Sequence, residues 1–328
     1  MSLIFFDMEG PLTPQDNAYE IMGLWPGGRQ VFEAISRYDD LLTLDHHPGY
    51  EPGDTLSLIV PFLLCHGLTT QAVQRMGETA PLIAGAREVV QELQRREWQV
   101  HAITTSYEPF ARAIAGRLGI AQSNVACTAL PLERLGHWFP EEDRRRTAQL
   151  EDTLASSPAL DDASLRECLD HFYWHRPPHS FLRQIMRVVR PMGGSRKLVA
   201  VEAFCLAHGQ GLHQVVAVGD SITDTAMLAA VDQVGGLAIA FNANAYALPA
   251  ATAGLASTNI DDLRPLLTAW QAGGRPSALA WVQAQPTKPN GAERGDYRWL
   301  AGRPPAPEIL ALHQNLRRRL RQSAAALG

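Results

Sequence analysis

The sequence predicts an α/β protein with a doubly wound, Rossmann-like parallel sheet and an inserted helical cap domain. Three observations support this: five short apolar runs, helical patterns that alternate with several of them, and two gaps that are too long for single crossovers. Nearly continuous apolar runs are typical of strands that are buried on both faces. The chain has 328 residues, which is enough for one large domain with an insertion or for two domains.

The predicted strands are the runs LIFF, VHAIT, NVACT, VVAVG and LAIAF, at 3–6, 100–104, 124–128, 215–219 and 237–241. Helices are predicted over 86–97 and 108–119, and Gly119 is a suitable C-cap for the second. Alternation of strand and helix implies right-handed crossovers between parallel strands.

The spacing of these elements predicts the domain organisation. The segment between the first strand and the first of these helices reads mostly as helix, which suggests a small helical insertion. The predicted units are a core of 1–15 and 81–270 with an elaboration at about 129–196, a helical cap of 16–80, and a C-terminal extension of 271–328. The extension is rich in Pro and Gly and closes on a basic amphipathic stretch over 307–322.

The composition favours small molecules as partners. The chain is 46% hydrophobic and 19% charged with a formal net charge of -5, which is ordinary for a globular protein. This balance offers no electrostatic footprint for nucleic acid or an anionic membrane. The longest apolar stretch, 56–68, is interrupted by Pro61 and is too short to span a bilayer. With no secretory signal in the sequence, the expected location is the cytoplasm.

Several other residues have plain interpretations. The four cysteines are widely spaced and are predicted to be reduced packing residues: Cys65, Cys127, Cys168 and Cys205. Four histidines without ligand spacing are expected at the surface or a cap interface: His46, His47, His175 and His179. The arginine run from Arg317 to Arg321 is predicted to be a solvated helix face rather than a nucleic-acid or membrane contact.

Acidic and hydroxyl side chains follow the predicted strands where a ligand would bind. In open α/β sheets, ligands bind at the carboxyl ends of the strands. The first, second and fourth strands deliver there Asp7 and Glu9, then Thr104, Thr105 and Ser106, then Asp220, Ser221, Thr223 and Asp224. A carboxylate cluster without a matching cationic run favours Mg²⁺. Turn-capping or helix-capping roles for the aspartates are the plainer alternative.

Four short segments resemble the haloacid dehalogenase-like superfamily, most of whose members are Mg²⁺-dependent phosphatases. FFDMEG (5–10), AITTS (102–106), Lys197 and GDSITD (219–224) are similar to its four motifs and occur in the same order. The insertion between the first two motifs is where the phosphoserine-phosphatase-like branch carries its helical cap. The resemblance covers roughly 3–10 and 81–265.

The resemblance implies a Mg²⁺-dependent phosphatase that works through an aspartyl-phosphate intermediate. Asp7 would be the nucleophile, since a carboxylate can accept a phosphoryl group and split one displacement into two. Glu9 would be the general acid and base. Thr104 would bind the phosphoryl group, and Thr105 or Ser106 would share this role. Mg²⁺ ligands would come from Asp7, the backbone carbonyl of Glu9, Asp220 and Asp224.

The lysine of the third motif has separate support in the composition. Of the 29 basic residues only two are lysines, Lys197 and Lys288. A compact ammonium at position 197 would neutralise phosphoryl oxygens and the nucleophile. Lys288, in the Pro-rich tail, has no such context.

The first motif departs from the commonest family pattern at two positions. Glu9 stands where an aspartate is usual, and Pro11 stands where Thr or Val is usual. The expected substrate is a small phosphorylated metabolite selected by the cap, where Arg29, Arg37 and Arg75 are available cations. The alternatives are a phosphotransferase or dehalogenase-type hydrolase, and a non-catalytic binding or accessory protein. The aspartate pair at 220 and 224 argues against a dehalogenase, which needs no Mg²⁺ site.

Overall fold

The computed structural model describes residues 2–156, 160–175, 177, 180–286 and 295–321. In these ranges the chain forms seven strands. In chain order, β1 to β7 are Ser2–Phe6, Trp98–Tyr107, Val125–Thr128, Val215–Gly219, Leu237–Phe241, Ala253–Ala256 and Asp296–Trp299. They form one sheet in the order β3-β2-β1-β4-β5-β6-β7, which is the doubly wound arrangement with β1 near the centre.

All five predicted strands are present in this sheet. Strands β1 to β5 are parallel, as predicted, and β6 is parallel to β5. Strand β7 pairs with β6 in the antiparallel direction, so the sheet is mixed. The prediction missed β6 and β7. Strand β6 has the sequence AGLA, which lacks the β-branched and aromatic residues that mark strands, and β7 is a short edge strand.

Strand β1 shows why its sequence reads as an unbroken apolar run. Leu3 and Phe5 belong to the hydrophobic core on one face of the sheet, whereas Ile4 and Phe6 belong to the core on the other face. All four side chains are fully buried. Since helices cover both faces, alternation between polar and apolar residues is lost in this strand.

The described residues form fifteen α-helices. In chain order, α1 to α15 are Asn17–Met22, Gly28–Leu44, Thr55–Leu58, Val60–Cys65, Thr70–Thr79, Ala86–Arg95, Glu108–Leu118, Leu132–His137, Glu141–Ser156, Asp162–Tyr173, Phe181–Val188, Ser195–Ala207, Thr225–Gln233, Leu263–Gln283 and Pro307–Arg321. Helix α14 is interrupted at Gly273 and Gly274, whose backbone angles are not helical. None of these helices is by itself long and apolar enough to cross a membrane. The helical segments Thr55–Cys65 and Thr70–Thr79, which are bent by 116° relative to each other, reach that length and apolar composition only when they are taken together.

The two helices predicted between the first three strands are confirmed as α6 and α7. Helix α7 ends at Gly119, which adopts the left-handed conformation with φ of 78°, as the predicted C-cap requires. Helix α6 begins after Gly85, where φ is 80° and a Cβ would lie 2.0 Å from Asn259 Oδ1. Glycine is therefore required at this turn.

Helices within the elaboration at about 129–196 pack against helices of the predicted cap, 16–80. Trp25 Nε1 donates a hydrogen bond to Glu151 Oε1 at 2.6 Å, and Arg37 pairs with Asp162 at 2.5 Å. Tyr38 donates to Asp170 through its hydroxyl. In contrast, α5 packs on α7, and Arg117 Nη1 donates to the Gly77 carbonyl at 2.8 Å. The division into core, cap and extension stays a prediction.

The C-terminal part of the chain is attached to the sheet by its edge strand and its last helix. Strand β7 pairs with β6, and α15 packs on β6. His313 Nδ1 on α15 accepts a hydrogen bond from the Ala243 N–H at 3.0 Å. A Cβ at Gly254 would lie 2.9 Å from His313 Nε2, so the helix sits directly against the strand. This contact holds α15 close to the loops that follow β4 and β5.

One buried histidine makes the core sensitive to acid. His101 on β2 is fully buried, and its ring lies 4.9 Å from that of Phe5 and 4.5 Å from that of Phe204. Neither ring nitrogen has a hydrogen-bond partner among the described residues. Burial lowers the pKa of His101 to about 4, because a charged imidazolium loses its hydration in this core.

We expect the free energy of unfolding to decrease less on acidification in His101→Phe than in the unmodified protein. Between pH 6.5 and 4, His101 is protonated in the unfolded chain but stays neutral in the folded protein. The free energy of unfolding therefore falls as the pH falls. By linkage this amounts to about 2 kcal/mol between pH 7.5 and pH 5. Urea unfolding at these two pH values measures it, with the exposed His213→Gln as the control. An unchanged pH difference in His101→Phe would contradict the assignment.

Candidate active site

The chain turns sharply just after β1, and this turn places Asp7 and Glu9 at one end of the sheet. The Asp7 N–H donates to the Val218 carbonyl at 2.8 Å, so Asp7 continues the pairing of β1 with β4. Gly10 follows with φ of +104°, and a Cβ there would lie 2.2 Å from Asp220 Oδ2. Only glycine allows the loop to pass so close to that carboxylate.

The loop after β4 holds Asp220 and Asp224 in fixed positions. Asp224 Oδ2 accepts hydrogen bonds from the backbone N–H groups of Asp220 at 2.9 Å and Ser221 at 3.1 Å. A Cβ at Gly219 would lie 2.6 Å from the Asp224 side chain, so the strand has to end on glycine. Helix α13 starts directly after Asp224.

Lys197, in the first turn of α12, connects these two loops. Its Nζ lies 2.6 Å from Asp224 Oδ1 and 3.0 Å from Asp7 Oδ1, and the lysine is fully buried. Burial lowers the pKa of Lys197, but the ion pairs with Asp224 and Asp7 outweigh it and raise the pKa above its ordinary value. The ammonium is therefore charged at neutral pH.

Asp7, Asp220 and Asp224 form a buried carboxylate cluster. Among the described residues they are a group that could hold a metal ion, with one oxygen from each lying within 4.8 Å of the others. Burial raises the pKa of Asp7 well above its usual range, and repulsion from Asp224 and Asp220 adds to this, whereas Lys197 opposes it. Asp220 Oδ1 is buried without a hydrogen-bond partner among the described residues. Three clustered carboxylates with such an oxygen fit the ligand preference of Mg²⁺.

Glu9 lies beside the cluster and is held by two hydrogen bonds. Its Oε1 accepts from the Asn17 N–H at 2.6 Å, and its Oε2 accepts from Thr105 Oγ1 at 3.3 Å. Burial, with a smaller contribution from Asp16, raises the pKa of Glu9 to about 7. At neutral pH the side chain is thus populated in both protonation states.

The three hydroxyl residues at the end of β2 occupy different environments. Thr105 lines the cavity above Asp7. Thr104 is fully buried, and its Oγ1 accepts a hydrogen bond from the Ser106 N–H at 3.1 Å. Ser106 Oγ is buried and has no partner among the described residues. Thr105 therefore both lines the cavity and donates a hydrogen bond to Glu9.

The cavity over the cluster is enclosed by the core, the predicted cap and α15. The core contributes Asp7, Glu9, Thr105, Ser221, Ile222 and Thr223. The predicted cap contributes Asp16, Phe32, Ser36, Asp39, Gly53, Thr55 and Leu56. Asp39 is buried, and its Oδ1 accepts from Tyr50 at 2.5 Å and from the Thr55 N–H at 3.2 Å.

Two arginines of α15 also line this cavity, which corrects the prediction of a solvated face. Arg318 and Arg319 are exposed, but Arg317 and Arg321 are buried and both contact Asp220 Oδ2. The two positions are four apart and share one face of the helix. The spacing was visible in the sequence, but nothing there indicated which face of the arginine run meets the site.

Other predicted candidates lie away from the cavity. Arg29 pairs with Glu20 at 3.1 Å and Arg37 pairs with Asp162, while Arg75 is exposed. None of the three is among the described residues that line the cavity.

Among the described residues, the predicted histidines and cysteines likewise do not line this cavity. His46 and His175 are exposed, and His47 packs on Trp174 at 4.7 Å between ring centres. His179 and Lys288 lie outside the described residues. The four cysteines have free thiols.

The chain matches no family model, and no curated protein matches it significantly. It is similar to the solved structure of a gene product of Archaeoglobus fulgidus, with 28% identity, a TM-score of 0.85, and coverage of 100% of this chain and 99% of that chain. Phosphoserine phosphatase in apo form aligns at 17% identity and a TM-score of 0.50, covering 80% of this chain and 98% of that one. A substrate-bound phosphoserine phosphatase complex aligns at 18% identity and 0.51, with coverage of 81% and 97%. The chain therefore shares the fold of phosphoserine phosphatase, which confirms the predicted fold class.

Proposed function

We propose that this chain is a Mg²⁺-dependent phosphatase that hydrolyses a small phosphorylated metabolite through a phosphorylated Asp7. One observation carries the proposal: Asp7, directly after a central strand, contacts the buried ammonium of Lys197 and lines a cavity together with Glu9. The similarity of the fold to phosphoserine phosphatase supports the same reaction class. We also propose that the protein acts in the cytoplasm.

The hydrogen bonds of Asp7 suggest which of its oxygens attacks phosphorus. Oδ1 accepts from the Met8 N–H at 2.7 Å and lies 3.0 Å from Lys197 Nζ. Oδ2 has no hydrogen bond among the described residues. With one oxygen fixed, the other is presented in a constant orientation, which is what an efficient nucleophile requires.

Glu9 would protonate the leaving oxygen and then activate water for the second step. A pKa of about 7 suits both roles, since the acid form is available at the first step and the base form at the second. The hydrogen bonds from Asn17 and Thr105 fix the carboxyl group beside Asp7. The longer side chain of glutamate is thus accommodated by anchoring at both oxygens.

Lys197 and the hydroxyls at the end of β2 would bind the phosphoryl oxygens. The Lys197 ammonium would neutralise charge that develops during transfer, and its full burial strengthens this interaction. Among Thr104, Thr105 and Ser106, the position of Thr105 on the cavity favours it as the main phosphoryl ligand.

The fit of the site to Mg²⁺ supports the metal requirement. Asp7, the Glu9 carbonyl, Asp220 and Asp224 would hold the ion, which when bound supplies charge that stabilises the phosphoryl oxygens. Both Asp224 oxygens already accept hydrogen bonds, from Lys197 and from two backbone N–H groups. Asp224 would therefore, besides contributing to the metal site, position Lys197 and the loop that carries Asp220.

The cap side of the cavity favours substrates that donate hydrogen bonds. It presents the carboxylates of Asp16 and Asp39 and the hydroxyls of Ser36 and Thr55. A hydroxyl or ammonium group on the non-phosphate end of the substrate would pair with these acceptors.

Release of inorganic phosphate from a panel of phosphorylated metabolites and an aryl phosphate tests the proposal. We expect turnover with Mg²⁺, none after chelation with EDTA, and restoration on adding Mg²⁺. Acid quenching during turnover should trap phosphorylated protein that hydroxylamine cleaves, as expected for an acyl phosphate. If no ester turns over with any divalent metal, the phosphatase proposal fails, and binding of phosphate analogues without turnover would favour the accessory-protein alternative.

A further inference from the structure

Helix α15 places two buried guanidinium groups on a residue of the proposed metal site. Arg317 Nη1 contacts Asp220 Oδ2 and also donates to the Asp220 backbone carbonyl at 3.3 Å. Arg321 Nη1 donates to the same Oδ2 at 3.1 Å. The exposed fractions of the Arg317, Arg321 and Asp220 side chains are 4%, 5% and 1%, so water does not screen these contacts.

Each carboxylate of the cluster contacts at least one cationic side chain. The carboxylates of Asp7 and Asp224 share the ammonium of Lys197. Within the described part of the chain, Asp220 forms no ion pair with Lys197 and is paired instead with the two arginines. The three acids therefore contact three cations, Lys197, Arg317 and Arg321, of which Arg321 also lies 3.9 Å from Asp16 Oδ2.

We propose that Arg317 and Arg321 are the counter-ions of Asp220 in the folded protein. Their contact with this carboxylate competes with tight binding of a divalent cation at the same site. The inference rests on the metal site of the proposed function. Two guanidinium groups carry the same total charge as Mg²⁺. An ion entering beside them meets repulsion that is strong in a buried site, and it gains less from an oxygen that is already neutralised. In the metal-free protein the same arginines prevent Asp220 from being a buried, unpaired charge.

A positioning role for the arginines makes the opposite prediction. Hydrogen bonds to a metal-binding carboxylate commonly orient it and strengthen metal binding. At Asp220 other contacts already confine the side chain: the loop at Gly10 passes against the carboxylate, and the backbone N–H is fixed by Asp224 Oδ2. Orientation therefore does not require the arginine pair, and its removal should strengthen metal binding.

Titration calorimetry of the metal-free full-length protein with Mg²⁺ alone tests this inference. We expect the double variant R317M/R321M to bind Mg²⁺ about tenfold or more tightly than the unmodified protein. It should also melt at a lower temperature without metal and be stabilised more by Mg²⁺. The matched control R318M/R319M removes two exposed arginines of the same helix and should leave the affinity unchanged.

The outcomes separate this inference from the phosphatase proposal. Unchanged or weaker Mg²⁺ binding in R317M/R321M would overturn it, whatever the protein hydrolyses. Adding D220N to the double variant should abolish the gain, and a gain that persists would place the ion elsewhere and also overturn the inference. If the double variant does not fold without metal, the single variants R317M and R321M are titrated, and binding no tighter than in the unmodified protein contradicts the proposal.

Discussion

Asp7→Asn is expected to reduce turnover of phosphate esters by roughly 10⁴-fold, the order seen when a covalent nucleophile is removed, without destabilising the fold. The amide oxygen can still accept the hydrogen bond from the Met8 N–H, and Lys197 keeps its contact with Asp224. The amide cannot form an acyl phosphate. Steady-state hydrolysis and trapping of phosphorylated protein measure the loss.

The stability of the same variant should move in the other direction. The raised pKa of Asp7 means that folding is opposed when this carboxylate is ionised, since burial and its neighbours Asp224 and Asp220 disfavour the charge. Asparagine removes that charge, so the melting temperature at pH 7 should be unchanged or higher. Asp152→Asn, at an exposed position on α9, is the control and should leave activity intact. Retention of more than a tenth of the activity in Asp7→Asn would exclude Asp7 as the nucleophile.

Lys197→Met is expected to abolish activity and to destabilise the protein by about 3–5 kcal/mol, the range for removing one partner of a buried ion pair. The ammonium is fully buried and is the cation that Asp7 and Asp224 share. Without it, two carboxylates remain buried without compensation, and the phosphoryl oxygens lose their cationic partner. Unfolding in urea and steady-state hydrolysis measure the two effects.

A second substitution separates the charge effect from the loss of packing. Lys197→Met combined with Asp224→Asn removes the carboxylate that pairs most closely with the ammonium, at 2.6 Å. We expect this double variant to regain part of the lost stability while it stays inactive. If the two losses of stability simply add, the ion pair is not the reason for the effect of Lys197.

The central half of the sheet was predictable because its strands are buried on both faces. Strands β1, β4 and β5 are continuous apolar runs, and the acids that follow β1 and β4 are local features of the sequence. Strand β6 was missed because its small residues give no strand signal, although it is fully buried in the sheet.

The position of Thr105 depends on a feature that the sequence does not encode locally. The pairing of β2 with β3 shifts register between Ile103 and Tyr107. Such an irregularity changes which side chain faces the cavity, so the choice among Thr104, Thr105 and Ser106 could not be made from alternation along the strand. The arginine pair on Asp220 is a tertiary contact for the same reason, since only the docking of α15 decides which arginines turn inward.

The docking of α15 also sets the order in which the site can be completed during synthesis. A growing chain exposes Asp7 early, whereas Arg317 and Arg321 emerge after the rest of the sheet and both insertions. Until this last helix docks, the Asp220 carboxylate has no guanidinium partner. Docking of this helix is therefore the step that brings cationic partners to Asp220, and until then the carboxylate is open to other cations.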